Sequence, residues 1–404
     1  MAPFVIISLI LGCALLGGYA SMFTSHSHGF FDTLRVCNTG AEACILNMTD
    51  SVSRPITGIE SVDAAMNLLL EFFSQGLQKN PDIKGMDLEA LLAFVYLAAQ
   101  FGGAWYIIAL EGLRFGNKGT ILSWYVTIEL FSRLAVTNHD SRTGTFGIVF
   151  QAVTITIIAP IYLTIQLLLS PSTPQQANLL ADPTDLSFLP AATILSYVVP
   201  SIGLCLPLVF DISREAKFIA VALWQPFPLY QSALQYVSRL FSGFQGNKSK
   251  KNAYIDVRRC RKALDRAYLF ITGLTMGVHL VVMGTIFASY VGQVQPVSGH
   301  HILALTSITT PPTLALLEPS VSVMQSREVV VSFLRWDVYC TCLSMIVWSG
   351  YQLSVAQKAP NFMVTVFRVV LLVLIGGPIF PALMFLWKRD DLVIKALPAS
   401  RKQK

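Results

Sequence analysis

Long apolar stretches separated by short polar segments dominate this chain of 404 residues. A transmembrane helix needs about 20 mostly apolar residues, and stretches near that length recur along the whole sequence. They cover residues 3–23, 87–112, 120–137, 145–170, 187–210, 217–240, 267–292, 331–356 and 362–387. The pattern predicts an all-α, polytopic bundle of transmembrane helices, with about 8–11 apolar segments and a single membrane domain over residues 1–404.

Several stretches allow two interpretations. Residues 58–77 are amphipathic, and the apolar stretch 301–325 is interrupted by prolines. Pro226 and Pro228 predict a broken helix within residues 217–240, and such a break is tolerated at membrane depth where it lines a cavity. Residues 3–23 fit a cleaved signal peptide or a retained first helix. We favour the retained helix because no basic region precedes it.

Composition and charge support this class. Hydrophobic residues make up 53% of the chain and charged residues 13%, about half the charged share of a soluble domain. The net charge of +6 is small, and the basic residues cluster near helix ends. We therefore expect the lipid bilayer, and no nucleic acid, as a partner.

The distribution of lysine and arginine predicts the orientation. A basic loop at 241–266 and a basic tail at 388–404 are expected in the cytosol. Residues 24–57 are expected to form a lumenal loop, in which Asn47-Met48-Thr49 is a glycosylation sequon. If residues 24–57 are lumenal and residues 241–266 are cytosolic, one of the candidate helices between them must not cross the membrane. Residues 58–77 are our choice, and a re-entrant segment at 217–240 fits nearly as well. The endoplasmic reticulum is the expected membrane.

Acidic side chains within these segments are the candidate chemistry. An ionised group in the hydrocarbon region costs a few kcal/mol, so it usually faces a functional interior. One set follows the spacing of three or four residues that places side chains on a single helical stripe; it comprises Glu60, Asp63, Asn67, Glu71 and Ser74. The stripe fits the wall of a polar cavity, or alternatively a helix lying on the membrane surface.

Three further acids have structural alternatives. Glu111 is either solvated, paired with Arg114, or functional. Glu129 has Arg133 at i+4, a good ion-pair spacing, and Asp337 is either an interfacial charge or functional.

Nucleotide-binding and metal-ligand motifs are missing from the sequence, so we expect no cofactor and no metal.

Aromatic residues are abundant, with 25 Phe, 13 Tyr and 6 Trp. Aromatic faces attract cations, and a buried carboxyl group can keep its proton and act as an acid. An acid among aromatic walls is what the cyclisation of a polyprenyl chain requires, since the acid starts a carbocation that the rings shelter. The candidates for substrate-binding walls are Trp105, Trp124, Trp224 and Trp336.

The chain resembles the fungal multi-pass membrane terpene cyclases of meroterpenoid and indole-diterpene clusters, especially the ascochlorin and ascofuranone type. The resemblance rests on size, on helix layout and on Gly58-Ile59-Glu60-Ser61-Val62-Asp63 followed by Phe72-Phe73. Glu60 stands where the family pattern has proline. The resemblance implies cyclisation of a farnesyl or longer prenyl tail, often epoxidised, on a hydrophobic prenylated small molecule, without metal or soluble cofactor.

We therefore predict a protonation-initiated terpene cyclase. Asp63 is the first candidate for the proton donor, followed by Glu71, Glu129 and Glu60, with Glu111 and Asp337 behind them. A proton-coupled transporter is the main alternative, because membrane carboxylates and broken helices also fit transport. A non-catalytic membrane scaffold is the third.

Overall fold

Helices account for almost all of the regular structure. The computed structural model describes residues 3–27, 29–32, 34, 58–80, 83, 85–118, 120, 122, 153–169, 174–245, 257–292, 308–309, 323–357 and 361–395. Within these ranges there is no β-strand, and one isolated bridge joins Arg114 and Ala181. The predicted all-α class is confirmed.

The longer helices are numbered here in chain order. They are α1 Pro3–Ser27, α2 Glu60–Gly76, α3 Leu88–Gly112, α4 Ile155–Leu169, α5 Pro183–Val209, α6 Arg214–Trp224, α7 Phe227–Gln245, α8 Val257–Tyr290, α9 Val323–Gln357, α10 Phe362–Gly376 and α11 Phe380–Lys395. Helices α1 and α5 each contain one π-helical turn, at Tyr19–Phe23 and Ile194–Val198.

Five described helices are long and apolar enough to cross a membrane, namely α1, α3, α5, α8 and most of α9. The pair α10 and α11 would make a sixth span, bent by 118°. These helices match the predicted apolar stretches and are compatible with an integral membrane protein. Residues 123–137 and most of residues 301–325 lie outside the described part of the chain.

The expected span at 362–387 is not one straight helix. Helix α10 ends at Gly376, and the next residue, Gly377, has a φ of +87°, which residues with a side chain rarely adopt. Gln100 of α3 occupies the break, because its Oε1 accepts a hydrogen bond from the Ile379 backbone N–H at 3.1 Å. Pro378 follows the glycine and prevents the helix from continuing.

The boundaries of the basic segments also differ from the prediction. Helix α7 continues to Gln245, and α8 begins at Val257, ahead of the expected end of the basic loop. Helix α11 continues through the start of the expected tail to Lys395. Lysine and arginine are good helix formers, so a basic segment need not be a loop. The break predicted from Pro226 and Pro228 is present between α6 and α7.

Helix α9 lies at the centre of the bundle, where it packs against α1, α2, α3, α4 and α11. Helix α1 packs against α4, and Gly17 of α1 faces Thr156 of α4. A Cβ atom at that position would lie 2.0 Å from Thr156 Oγ1, closer than any side chain tolerates. The contact therefore requires glycine at this level of α1.

The Gly17→Ala variant should consequently be less stable by about 1–3 kcal/mol, the usual cost of overpacking. Gly12→Ala is the matched control, because Gly12 lies on the same helix and has no atom within 4 Å of its Cβ position. Thermal unfolding of both variants in detergent measures the difference. Equal stability would show that the two helices separate at little cost.

Candidate functional site

A cavity of about 1040 Å³ lies between α1, α2, α3, α4, α5, α6 and α9. Its volume is at the upper end of the range for small-molecule sites. Aliphatic and aromatic side chains form most of the wall. The aromatic members are Tyr19, Phe23, Phe31, Phe72, Phe73, Phe94, Phe101, Tyr197, Trp224 and Phe333.

Trp224 is at the centre of this aromatic wall. Its ring centroid lies 5.6 Å from that of Phe73, 6.1 Å from that of Phe101 and 6.2 Å from that of Tyr197. Its indole N–H donates to Ser201 Oγ at 2.9 Å, which fixes the orientation of the ring. Rings held in this way present their π electrons to whatever occupies the cavity.

Asp337 is the only acid among the described residues that line the cavity. Its side chain is buried, and Oδ1 accepts a hydrogen bond from the Thr156 backbone N–H at 2.9 Å. That N–H belongs to the first turn of α4, where helix N–H groups have no partner in their own helix. The residue before the helix, Thr154, has a φ of +98°, rare for a β-branched residue. Asp337 therefore caps α4 and also borders the cavity.

The polar stripe predicted on α2 faces away from the cavity wall. Leu68, Leu69, Phe72 and Phe73 line the cavity, whereas the polar members lie on another face of the helix. Of these, Asp63, Asn67, Glu71 and Ser74 are buried and Glu60 is exposed. A helix lying on the membrane surface would keep its polar face in water, so this burial does not fit that alternative.

The stripe acids Asp63 and Glu71 both accept hydrogen bonds from groups on or next to α2. The Gly58 backbone N–H donates to Asp63 Oδ2 at 3.0 Å, and Gln75 Nε2 donates to Glu71 Oε1 at 2.7 Å. Asp63 thereby holds the chain that leads into α2, which is a role for the glycine and the aspartate of the predicted motif.

Glu111 belongs to a buried network of ion pairs, in agreement with its predicted partner Arg114. Arg114 donates from Nε to Glu111 Oε1 at 2.8 Å and from Nη2 to Asp390 Oδ2 at 2.6 Å. Arg389 donates from Nη2 to Glu111 Oε1 at 2.8 Å and from Nε to Asp390 Oδ1 at 2.9 Å. The Tyr268 hydroxyl donates to Asp390 Oδ2 at 2.8 Å. The network joins α3, α8 and α11, apart from the cavity lining.

The remaining candidates are dispersed. Trp105 is buried and donates to Gln231 Oε1 at 2.6 Å. Neither it nor Trp336 is among the cavity-lining residues. Glu129, Trp124 and Asn47 lie outside the described residues. In the described ranges no group of three histidine, cysteine, aspartate or glutamate side chains is arranged to hold a metal ion.

The sequence did not mark Arg389 and Asp390 as core residues, because both lie in the segment 388–404 that was predicted to be a basic tail. Their partners Glu111 and Arg114 are 278 and 276 positions away, so no local spacing connects them. Their helix α11, which lies beyond the break at Gly377, carries them into the bundle. Tyr197, Phe94 and Phe101 of the cavity wall were also missed, since their pattern is that of any apolar helix.

Fold and site together define a polytopic helical membrane protein with a large aromatic cavity, in which Asp337 is the one acid among the described lining residues. The chain belongs to the CtvD domain family, whose sequence model matches residues 6–394. This match confirms the resemblance inferred from residues 58–73.

Three relatives carry the name terpene cyclase. Terpene cyclase ascI of Acremonium egyptiacum is 25% identical over 391 residues, which cover 95% of this chain and 89% of the relative. Terpene cyclase ctvD of Aspergillus terreus is 22% identical over 401 residues, covering 96% and 99%. Terpene cyclase atmA of Aspergillus flavus is 24% identical over 324 residues, covering 78% and 84%. No solved structure matches the chain.

Proposed function

We propose that this protein is a membrane terpene cyclase that acts in the 1040 Å³ cavity, with Asp337 as the acid that starts the reaction. The observation that carries the proposal is the position of Asp337, the only carboxyl group on a described cavity wall that is otherwise mostly aliphatic and aromatic. The relatives named terpene cyclases support cyclisation over transport.

The chemistry needs one proton donor and an environment that tolerates a carbocation. The Asp337 carboxyl group gives its proton to a terminal alkene or epoxide of a prenyl chain, and the ring closes as alkene π electrons attack the cationic carbon. The aromatic wall stabilises the positive charge. The final cation then loses a proton, which returns to the Asp337 carboxylate directly or through water. The acid is thereby regenerated, and the reaction requires no external reductant or oxidant.

Direct assay tests this proposal. Microsomes from cells that express the chain are incubated with a prenylated phenol whose terminal double bond carries an epoxide, and the products are separated by chromatography. A cyclised product of unchanged mass is expected, since the reaction is an isomerisation. The absence of any cyclised product from linear, epoxidised and longer prenyl phenols would contradict the proposal.

We also propose roles for the acids that the sequence suggested. Asp63 and Glu71 lie on a face of α2 that does not line the cavity, and they would position Phe72 and Phe73 through this helix. Residence in the endoplasmic reticulum, glycosylation of Asn47 and the cytosolic side of the basic segments are also proposed. They are testable by microscopy, glycosidase digestion and protease protection.

Replacement of Trp224 by leucine should lower the rate of cyclisation roughly 30-fold, because a dry cation–π contact is worth about 2 kcal/mol. Trp224→Phe should lose less, since a ring remains. Trp105→Phe is the control: Trp105 is buried but is not among the lining residues. It should affect stability more than rate per folded molecule. Product yield normalised to folded protein checks the prediction, and equal rates for all three variants would contradict it.

A further inference from the structure

The cavity is open along one helix. Among the lining residues that the structure describes, every exposed side chain belongs to α1, and these residues are Leu11, Leu15, Tyr19, Phe23 and His26. Leu15 is 76% exposed and Phe23 is 57% exposed, although both border the cavity. The lining residues from the other helices are buried or half-buried. The mouth of the cavity is therefore the face of α1.

The length and composition of α1 lead us to expect this mouth at membrane depth. Helix α1 is one of the helices long and apolar enough to span the membrane. From Leu11 to His26 the helix rises about 22 Å, at 1.5 Å per residue, compared with a hydrocarbon thickness of about 30 Å. Its rim of leucine, tyrosine and phenylalanine suits contact with acyl chains better than contact with water.

Asp337 and His26, the polar lining residue at the end of α1, lie at different levels along the axis of α1. Gly17 of α1 meets Thr156, whose backbone N–H binds Asp337, so the carboxyl group is level with the middle of α1. His26 lies at the end of α1, about 13 Å farther along the helix axis. Between these two levels the described lining residues of α1 are Gly18, Tyr19, Met22 and Phe23.

We propose that the substrate enters sideways from the bilayer past α1 and lies along this helix, with its polar head group level with His26 and the far end of its chain at Asp337. This inference rests on the proposed function for the identity of the chain. It defines the ligand class as an amphiphile with one polar head and a linear apolar tail that spans about 13 Å. The Asp337 carboxyl group then reacts with the end of the tail that is farthest from the head group.

Photolabelling tests the orientation without turnover. The full-length protein in lipid vesicles is incubated with two phenols that carry a farnesyl chain on a ring carbon, one with a diazirine on the ring and the other with a diazirine at the far end of the chain. Mass spectrometry should find the ring probe on peptides that contain Met22 to Phe31. The tail probe should label peptides that contain Ile157 or Asp337. The reverse distribution, or labelling by both probes only on outward-facing helix surfaces such as Phe367, would overturn the proposal.

A bulky residue at the mouth tests the route. Leu15→Trp should reduce labelling of the Asp337 peptide by the tail probe several-fold at short times, because the side chain borders the opening. Leu9→Trp is the matched control, since Leu9 lies on the same helix and is 48% exposed but is not a lining residue. Equal labelling of both variants would exclude lateral entry. Neither readout needs catalysis, so failure of the cyclase assay leaves both interpretable.

Discussion

The Asp337→Asn variant should lose roughly 10²–10⁴-fold in the rate of cyclisation, the range that a positioned general acid contributes. Asparagine has nearly the same shape as aspartate and retains an oxygen that can accept the hydrogen bond from the Thr156 N–H. It therefore preserves the cap of α4 while it removes the acidic proton. Turnover in microsomes, normalised to the amount of folded protein, is the measurement.

Three comparisons separate the acid from the cap. Asp337→Ala removes both functions, so it should be inactive and in addition less stable by about 1 kcal/mol, the usual cost of a lost cap. Asp63→Asn and Glu71→Gln alter buried acids that are not among the described lining residues, so each should retain more activity than Asp337→Asn. Full activity of Asp337→Asn would show that Asp337 only caps α4, and Asp63 would again be the first candidate for the proton donor.

Replacing Arg389 with methionine should destabilise the fold by about 3–5 kcal/mol. Removal of one cation from a buried ion-pair network leaves a negative charge without compensation, because Arg114 alone would then face both Glu111 and Asp390. In this network Arg389 bonds to Glu111 and Asp390, and all three residues are at most 3% exposed. Unfolding in detergent, followed by tryptophan fluorescence or by circular dichroism, gives the loss of stability.

Lys388→Met is the control within the same helix. Lys388 is the preceding residue, but its side chain is 54% exposed and its nearest carboxylate oxygen, on Asp391, is 3.8 Å away. An exposed pair of this kind contributes at most about 1 kcal/mol, so the variant should unfold almost like the parent protein. Should the two variants unfold alike, the buried network would add nothing to stability, and Arg389 would need another explanation.

Local patterns were sufficient for most of the helices. The apolar stretch at 87–112 became α3 almost residue for residue, and the break at Pro226 and Pro228 separates α6 from α7. Hydropathy predicts such elements because a membrane-length apolar run satisfies its own backbone hydrogen bonds as a helix, whatever its neighbours. The bend at Gly377 was missed because the apolar pattern continues on both sides of it, although Gly376-Gly377-Pro378 is a strong signal for a helix end.

The sequence predicted the type of site, but it did not predict which candidate residues form it. An acid among aromatic rings could be expected from composition, and Trp224 and Asp337 were both among the candidates. Their ranking required the fold, because helix periodicity shows that residues share a face without showing which neighbour that face meets. On α2 the stripe with Asp63 and Glu71 proved to be buried away from the cavity, and the apolar face with Phe72 formed the wall.

By itself the sequence determined that the chain is a helical membrane protein, and it determined most of its helices, since both depend on interactions between residues a few positions apart. Only the tertiary structure decided which carboxyl group borders the cavity and which ones stabilise the bundle. Asp337 meets Thr156 across 181 positions, and Arg389 meets Glu111 across 278. Contacts at such separations arise from the packing of whole helices, which no local pattern encodes.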